Sequence, residues 1–272
     1  MRVAINGFGR IGRSVLRILS DRDDIEVVAI NDIADNKGLV YLFKYDTVMG
    51  TFKGTLALED SIWKVNDHSI KMTAIREVAE LPWKSLGVDI VVEATGRFRK
   101  REQIAEHLAA GAKKVILTVP SQDEIDATVV LGVNDKVLKP EHQIVSNASC
   151  TTNCLAPLAM ILDEQFGIVK GVMTTVHAYT NDQRLADVPH KDLRRSRAAA
   201  ENIIPTTTGA ARAVGKVLPN LAGKLDGMAM RVPVPDGSIV DLVTEMATDV
   251  SAEEVNAAVK KAADGPLMKI LE

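Results

Sequence analysis

The segment Gly7-Phe8-Gly9-Arg10-Ile11-Gly12 sets three glycines at G-x-G-x-x-G spacing, directly after the apolar run Val3-Ala4-Ile5. No other feature of the chain restricts its fold as much. Glycines so placed allow a tight turn out of a strand, close approach of the backbone to a pyrophosphate, and close packing of the next helix on that strand. A helix is predicted from Ile11, Val15, Ile18 and Leu19, whose spacing matches a helical period. Its N-terminus offers unpaired N–H groups and partial positive charge to an anion.

The rest of the first half repeats the theme. Val27-Val28-Ala29-Ile30, Ile90-Val91-Val92, Val115-Ile116-Leu117 and Val129-Val130-Leu131 are apolar at consecutive positions. Such runs fit parallel strands covered on both faces. Glu102 to Ala110 reads as a helix closed by Gly111. The expected architecture over residues 1–149 is a doubly wound, Rossmann-type α/β domain with a parallel sheet. Asp32 lies just past the second strand, twenty residues after Gly12. An acidic residue there accepts hydrogen bonds from an adenosine ribose and repels a 2′-phosphate, which favours NAD over NADP. Asp32 could instead cap the next element; the upstream glycines favour the cofactor role.

After Ser149 the pattern changes. A helix is expected over 151–166 from Leu155, Leu158, Ala159, Leu162 and Phe166, with Pro157 kinking or interrupting it. Strands are expected at 168–177, 228–232 and 239–246, and Ser251 with Glu254 forms a capping box for a helix ending near Ala263. Residues 150–272 therefore read as an α+β domain. The stretch 179–200 is polar, charged and aperiodic, and a loop that long is usually functional or disordered.

Composition narrows the function classes. A chain of 272 residues, 46% hydrophobic and 25% charged, is large enough for two globular domains. A net charge of −3 argues against a general nucleic-acid binder. Arg99-Lys100-Arg101 and 191–197 are both compatible with small anionic ligands, although the first reads as a solvated helix face and Arg194 to Arg197 as a solvated surface run. No apolar run reaches the ~18 residues of a membrane span, and no leader pattern opens the chain, so the cytoplasm is expected. Two cysteines, Cys150 and Cys154, supply neither a disulfide framework nor a zinc site; no metal is expected.

Cys150 opens the helix at the domain boundary, where the helix dipole stabilises a thiolate and raises nucleophilicity. Cys154, one turn on, suits an inert packing role. His177, at the end of a predicted strand, could act as general base toward Cys150. Taken alone it reads as a hydrogen-bonded structural histidine rather than a catalytic one, and the sequence does not bring the two together.

Asn6 to Arg13 (NGFGRIGR), Ala148 to Cys154 (ASCTTNC), the His177-Ala-Tyr-Thr-Asn segment and Thr206-Thr-Thr-Gly-Ala-Ala run in order through the chain. Together they closely resemble phosphorylating glyceraldehyde-3-phosphate dehydrogenase. The resemblance implies NAD-dependent oxidative phosphorylation of glyceraldehyde 3-phosphate to 1,3-bisphosphoglycerate, a step of glycolysis and gluconeogenesis. Cys150 is implied as the nucleophile that forms a thiohemiacetal and then a thioester, and His177 as its activating partner. Thr180 and Arg231 match the substrate-phosphate subsite; Ser149, Thr151, Thr208 and Gly209 match the subsite of the attacking inorganic phosphate; Arg195 matches an anion-binding position. Gly7, Gly9, Arg10, Ile11, Gly12, Asp32, Arg76, Thr95, Gly96 and Thr118 match NAD-contacting positions, and Pro189 resembles the NAD-preferring form.

The family is typically a homotetramer. The resemblance also implies further strands and a C-terminal helix beyond Ile270-Leu271-Glu272, so 267–271 reads as a strand cut short. An erythrose-4-phosphate dehydrogenase, and a shortened, catalytically idle NAD-binding protein, are the alternative readings.

Overall fold

The computed structural model describes residues 1–272. It divides into two compact units, Met1–Thr128 with Leu138–Ala148, and Val129–Val137 with Ser149–Glu272.

The first unit begins with β1 (Arg2–Asn6), α1 (Arg10–Leu19), β2 (Glu26–Asn31) and α2 (Asn36–Lys44). The short strands β3 (Tyr45–Asp46) and β4 (Gly50–Thr51) pair separately. Then come β5 (Leu56–Glu59), β6 (Ile62–Val65), β7 (His68–Thr73), β8 (Ile90–Glu93), α3 (Arg101–Ala109), β9 (Lys114–Leu117), β10 (Ala127–Thr128) and β11 (Ile144–Ser146). They form one nine-stranded sheet in the order β10-β11-β9-β8-β1-β2-β7-β6-β5.

From β10 to β7 neighbouring strands are parallel; β6 and β5 extend the edge as antiparallel ribbons. Alternate residues of a strand face opposite sides, and here each side has its own core. Ala4 and Ala29 join Trp83, Ile104 and Val115. Ile5 and Ile30 join Phe8, Leu16, Phe43 and Trp63. This two-sided burial is why β1 and β2 are apolar at successive positions. The chain winds from β1 outward through β2 and β7, then returns to place β8 on the other side of β1. That reversal opens a crevice at the carboxyl ends of β1 and β8, where doubly wound sheets bind ligands.

Two local expectations need correction. The buried positions of α1 are Gly12 and Leu16, with Val15 and Leu19 half-covered, whereas Ile11 and Ile18 are exposed. The reason is steric: a Cβ on Gly12 would lie 2.2 Å from the Gly7 carbonyl oxygen. Close contact there fixes which side of the helix meets the strand. Secondly, Val129-Val130-Leu131 is not a strand, because β10 stops at Thr128. Asn134 Oδ1 accepts the Val130 N–H at 2.8 Å and Asp135 Oδ1 the Gly132 N–H at 2.8 Å. Side-chain acceptors have taken the donors a ladder would need, and the segment clusters with the second unit.

The second unit contains α4 (Cys150–Phe166), β12 (Ile168–Ala178), β13 (Ile204–Thr207), α5 (Ala210–Val217), β14 (Leu225–Val232), β15 (Ser238–Met246) and α6 (Ala252–Ala263). The sheet order is β13-β14-β12-β15, with only β12 and β14 parallel. Leu155, Ala159 and Leu162 of α4 and Val214 of α5 pack on Met173 and Leu225.

Pro157 does not interrupt α4, which runs unbroken for 17 residues. Proline withholds one backbone N–H, but Leu155, Ala156 and Ala159 around it are all buried, so tertiary packing holds the helix together. The Ser251–Glu254 capping box of α6 is present in both directions. Residues 267–271 form a turn rather than a strand, since the N–H groups of Ile270 and Leu271 both return to the Leu267 carbonyl. No helix is long and apolar enough to cross a membrane.

Candidate active site

In the first unit, a cavity of about 270 Å³ lies at the carboxyl ends of β1, β2 and β8, with Asn6, Gly7, Gly9, Asp32, Arg76 and Thr95 in its wall. Gly7 has φ +90°, and a Cβ there would sit 2.6 Å from the Thr95 nitrogen, so only glycine fits the turn. Nothing lies within 4 Å of the place a Cβ would take on Gly9, which leaves its backbone open to a ligand. The Asp32 carboxylate accepts the Phe8 N–H at 2.7 Å and the Ala34 N–H at 3.0 Å. It thereby ties the end of β2 to the glycine turn and keeps spare lone pairs at the cavity wall.

A glycine cradle beside an acidic acceptor fits a nucleotide whose ribose carries free hydroxyls. Gly12 serves the turn by packing. Gly96, at φ +67°, follows Thr95 in the neighbouring loop. Arg10 and Ile11 lie exposed at the start of α1, and Thr118 donates to the Glu93 carbonyl at 3.2 Å; none of the three lines the cavity.

In the second unit, Cys150 is the first residue of α4. Ser149 caps the helix by accepting the Thr152 N–H at 3.1 Å, and its hydroxyl bonds to Thr152 Oγ1 at 2.7 Å. His177 arrives from β12, whose inward positions Met173, Thr175 and His177 alternate as a strand requires. The Cys150 Sγ and His177 Nε2 are 3.2 Å apart. The thiol is held near pH 7 instead of its usual 9.0, chiefly by the hydrogen bond to His177. Burial opposes this, while the charge of His177 and hydrogen bonds from Thr151 add to it. Cys154 moves the other way, raised by burial and by Cys150. One cysteine is activated and its neighbour is not.

His177 Nδ1 lies 2.7 Å from the Ala178 carbonyl oxygen, an acceptor only; in the tautomer that donates to it, Nε2 is free to take a proton from sulfur. Arg231 is the register partner of His177 on β14. Its Nη1 donates to the same carbonyl at 3.1 Å and lies within hydrogen-bond distance of Nδ1, at 2.9 Å. The Arg231 guanidinium pKa is depressed, first by burial and then by the charge of Arg195, and its Nε is buried with no partner. Two guanidinium groups that repel each other are chemically suited to share an anion such as a phosphate.

Arg195 is held in place by its surroundings. Its Nε donates to Thr206 Oγ1 at 2.9 Å, and its Nη1 pairs with Asp182. Asp192 lies 3.9 Å from Arg195 and is itself held at about 2, first by its bond to Arg194. The Thr180 N–H donates to Gln183 Oε1 at 3.2 Å. Thr208 Oγ1 accepts the Ala210 N–H at 3.1 Å, and exposed Gly209 is the cap of α5.

The residues missed from sequence are Asp182, Asp192 and Gln183, together with the Ala178 carbonyl. The aspartates lie in a stretch dense in both charges that reads as solvated surface. Gln183 is buried, with its Nε2 unpartnered, and no sequence signal marks it.

A family model described as "Glyceraldehyde 3-phosphate dehydrogenase, NAD binding domain" matches residues 1–101, and one described as "Glyceraldehyde 3-phosphate dehydrogenase, C-terminal domain" matches residues 149–272. Among curated proteins, the glyceraldehyde-3-phosphate dehydrogenase of Geobacillus stearothermophilus is 59% identical over all of this chain and 81% of its own length. That of Streptomyces coelicolor is 58% identical, and glyceraldehyde-3-phosphate dehydrogenase 1 of Bacillus subtilis 56%, each over all of this chain and 81% of its own length.

Proposed function

The chain belongs to the glyceraldehyde-3-phosphate dehydrogenase family, and we propose that it oxidises glyceraldehyde 3-phosphate to 1,3-bisphosphoglycerate with Cys150 as nucleophile and His177 as base. The observation that carries this reading is the 3.2 Å approach of Cys150 Sγ to His177 Nε2 at the start of α4.

His177 Nε2 takes the thiol proton, and the sulfur forms a bond to the aldehyde carbon. The developing alkoxide is protonated by the same Nε2–H, giving a thiohemiacetal on Cys150. NAD, when bound, would supply the hydride acceptor. Nε2 is placed to remove the hydroxyl proton as the carbon is oxidised, so that the carbonyl re-forms and Cys150 carries a thioester. An oxygen of inorganic phosphate then attacks the thioester carbon and the thiolate leaves, yielding the acyl phosphate and the starting sulfur.

Thr180 and Arg231 are assigned to the substrate phosphate, with Arg195 as a further anion contact. Ser149, Thr151, Thr208 and Gly209 are assigned to the attacking phosphate. The unpartnered Arg231 Nε supports the first assignment, and the exposed cap of α5 the second. Gly7, Gly9, Gly12, Asp32, Arg76, Thr95 and Gly96 are assigned to NAD, with Arg10, Ile11 and Thr118 at its margins. Residues 1–149 are proposed as the cofactor domain and 150–272 as the catalytic domain.

We also propose a homotetramer in the cytoplasm. Val172, Met228, Ile239 and Val243 are exposed on β12, β14 and β15, an apolar surface of the kind subunits cover.

The test is a spectrophotometric assay of NADH formation with glyceraldehyde 3-phosphate. Production should require added phosphate and vanish in Cys150→Ser. NADH production by that variant, or phosphate-independent turnover by the parent, would reject the mechanism.

A further inference from the structure

We infer that Glu93 is a positioning residue of the cofactor cavity, held by a proton-ordered hydrogen-bond network that converges on it from both ends. The inference rests on the cavity being the NAD site.

Glu93 ends β8, and its side chain is wholly buried, as is that of His107 on α3. Two donors aim at Oε2, the Asn6 Nδ2 at 2.6 Å and the His107 Nε2 at 3.0 Å. Two aim at Oε1, the Thr95 N–H at 2.9 Å and the Thr95 hydroxyl.

The direction of each bond is fixed from far away by groups that can play only one part. At one end, the Trp83 indole N–H, a donor only, gives its proton to His107 Nδ1 at 2.9 Å. Nδ1 is therefore an acceptor, so the ring proton sits on Nε2 and points at Glu93. The His107–Glu93 contact is thus a hydrogen bond donated by Nε2.

At the other end, the backbone N–H of Ile75 donates to Asn31 Oδ1 at 2.9 Å, as does the Thr73 hydroxyl at 2.8 Å. Asn31 Nδ2 must then face Asn6 Oδ1, which it reaches at 2.8 Å, and Asn6 Nδ2 must face Glu93. In the same way Thr95 Oγ1 accepts the Arg97 N–H at 3.1 Å, which sends the hydroxyl proton to Glu93.

All four groups around Glu93 are donors, so it has only acceptors to offer. A buried polar group is costly unless it is hydrogen-bonded, and here both oxygens are met twice. What this secures is the cavity wall. Asn6 and Thr95 line the cavity, and the Thr95 backbone abuts Gly7 so closely that a Cβ on Gly7 would lie 2.6 Å from it. Glu93 pins the Thr95 loop and the end of β1 to one carboxylate, which sets the width of the gap beside the glycine turn. Its hydrogen bonds are spent, so it acts on the cofactor only through those neighbours.

Glu93→Gln keeps the shape but turns an NH₂ group toward one donor pair. Titration calorimetry with NAD should show Kd raised tenfold or more in the assembled protein. KM for NAD should rise in step, while kcat at saturating NAD and KM for the aldehyde stay within twofold. Thr95→Ala, at an exposed position, should raise Kd at least threefold, and the double variant should bind no more weakly than Glu93→Gln. In the parent, ¹⁵N-histidine NMR, assigned through the Trp83 indole proton, should show His107 Nδ1 unprotonated and Nε2 protonated. A protonated Nδ1 would overturn the ordering, and so would full NAD affinity in Glu93→Gln. If that variant does not fold, parent-like affinity in Thr95→Ala overturns the positioning role. A parent that does not bind NAD at all would instead reject the cofactor reading beneath it.

Discussion

Arg231 and His177 occupy opposed register positions on β14 and β12, and Arg231 Nη1 and His177 Nδ1 both lie within hydrogen-bond distance of the single carbonyl of Ala178. The pairing is parallel, so the two side chains leave the same face of the sheet at the same height. The arginine thereby helps to hold the imidazole with Nε2 toward sulfur, and its charge interacts with that of the Cys150 thiolate.

The first prediction concerns the thiol alone. Because the Cys150 pKa is lowered, the thiolate predominates above about pH 7 and is lost as pH falls through that value. At pH 7 about half the thiol is ionised, against about 1% for an ordinary thiol at 9.0. Iodoacetamide alkylation of Cys150, followed by mass spectrometry, should therefore rise to a plateau with a midpoint near pH 7. In His177→Asn the midpoint should move toward 9, since the bond to His177 is the largest cause of the shift. A midpoint near 9 in the parent would deny that the pair forms in solution.

Arg231 gives the second prediction. Arg231→Met preserves packing bulk but removes a charge and a buried unpaired donor from the proposed substrate-phosphate site. KM for glyceraldehyde 3-phosphate should rise about 10- to 100-fold, equivalent to ~1.4–2.8 kcal/mol of lost binding. KM for NAD should not change. Steady-state kinetics separate the two, and an unaltered aldehyde KM would remove Arg231 from the site.

Much of this architecture is readable from residue order because parallel strands covered on both faces cannot disguise their apolarity. Val27 to Ile30 and Val115 to Leu117 announce themselves in this way. The α1 helix does not. Its exposed Ile11 and Ile18 outshine Leu16, and only a steric requirement at Gly12 decides which side turns inward. The ribbons β5 to β7 alternate weakly and pass unnoticed. In the site, Cys150 and Asp32 are legible because a helix start and a strand end are local features. The approach of His177 to Cys150 is not, since it depends on how β12 sits against α4. Glu93 carries a neglected signal: an acid closing the apolar run Ile90-Val91-Val92 must find donors inside the fold.

A third prediction follows from the steric point. Gly12→Ala would bring a methyl to 2.2 Å from the Gly7 carbonyl oxygen, a backbone atom that cannot yield without moving the turn. Overpacking of this kind costs about 1–3 kcal/mol, so the denaturation midpoint should fall. NAD affinity should weaken as well, because the displaced carbonyl belongs to the cradle itself. Gly9→Ala provides the contrast, since nothing lies within 4 Å of its added carbon. Its stability should be unchanged while NAD binding suffers. Equal stability losses in the two variants would contradict the different parts given to these glycines.

The last prediction separates two tasks that Asp32 performs with one carboxylate. Its oxygens accept the Phe8 and Ala34 N–H groups, which is structural, and the residue lines the cavity, where its proposed task is to select the cofactor. Asp32→Asn keeps one oxygen as an acceptor but abolishes the charge. Repulsion of a 2′-phosphate disappears with it, so NADP should bind more tightly than to the parent by about tenfold, ~1.4 kcal/mol. NAD should bind more weakly by a similar factor, because a ribose hydroxyl donates more strongly to a carboxylate than to an amide. Calorimetric titration with each dinucleotide, at fixed ionic strength to hold charge screening constant, measures both changes. If NAD weakens and NADP does not improve, the carboxylate shapes the turn without choosing between the cofactors.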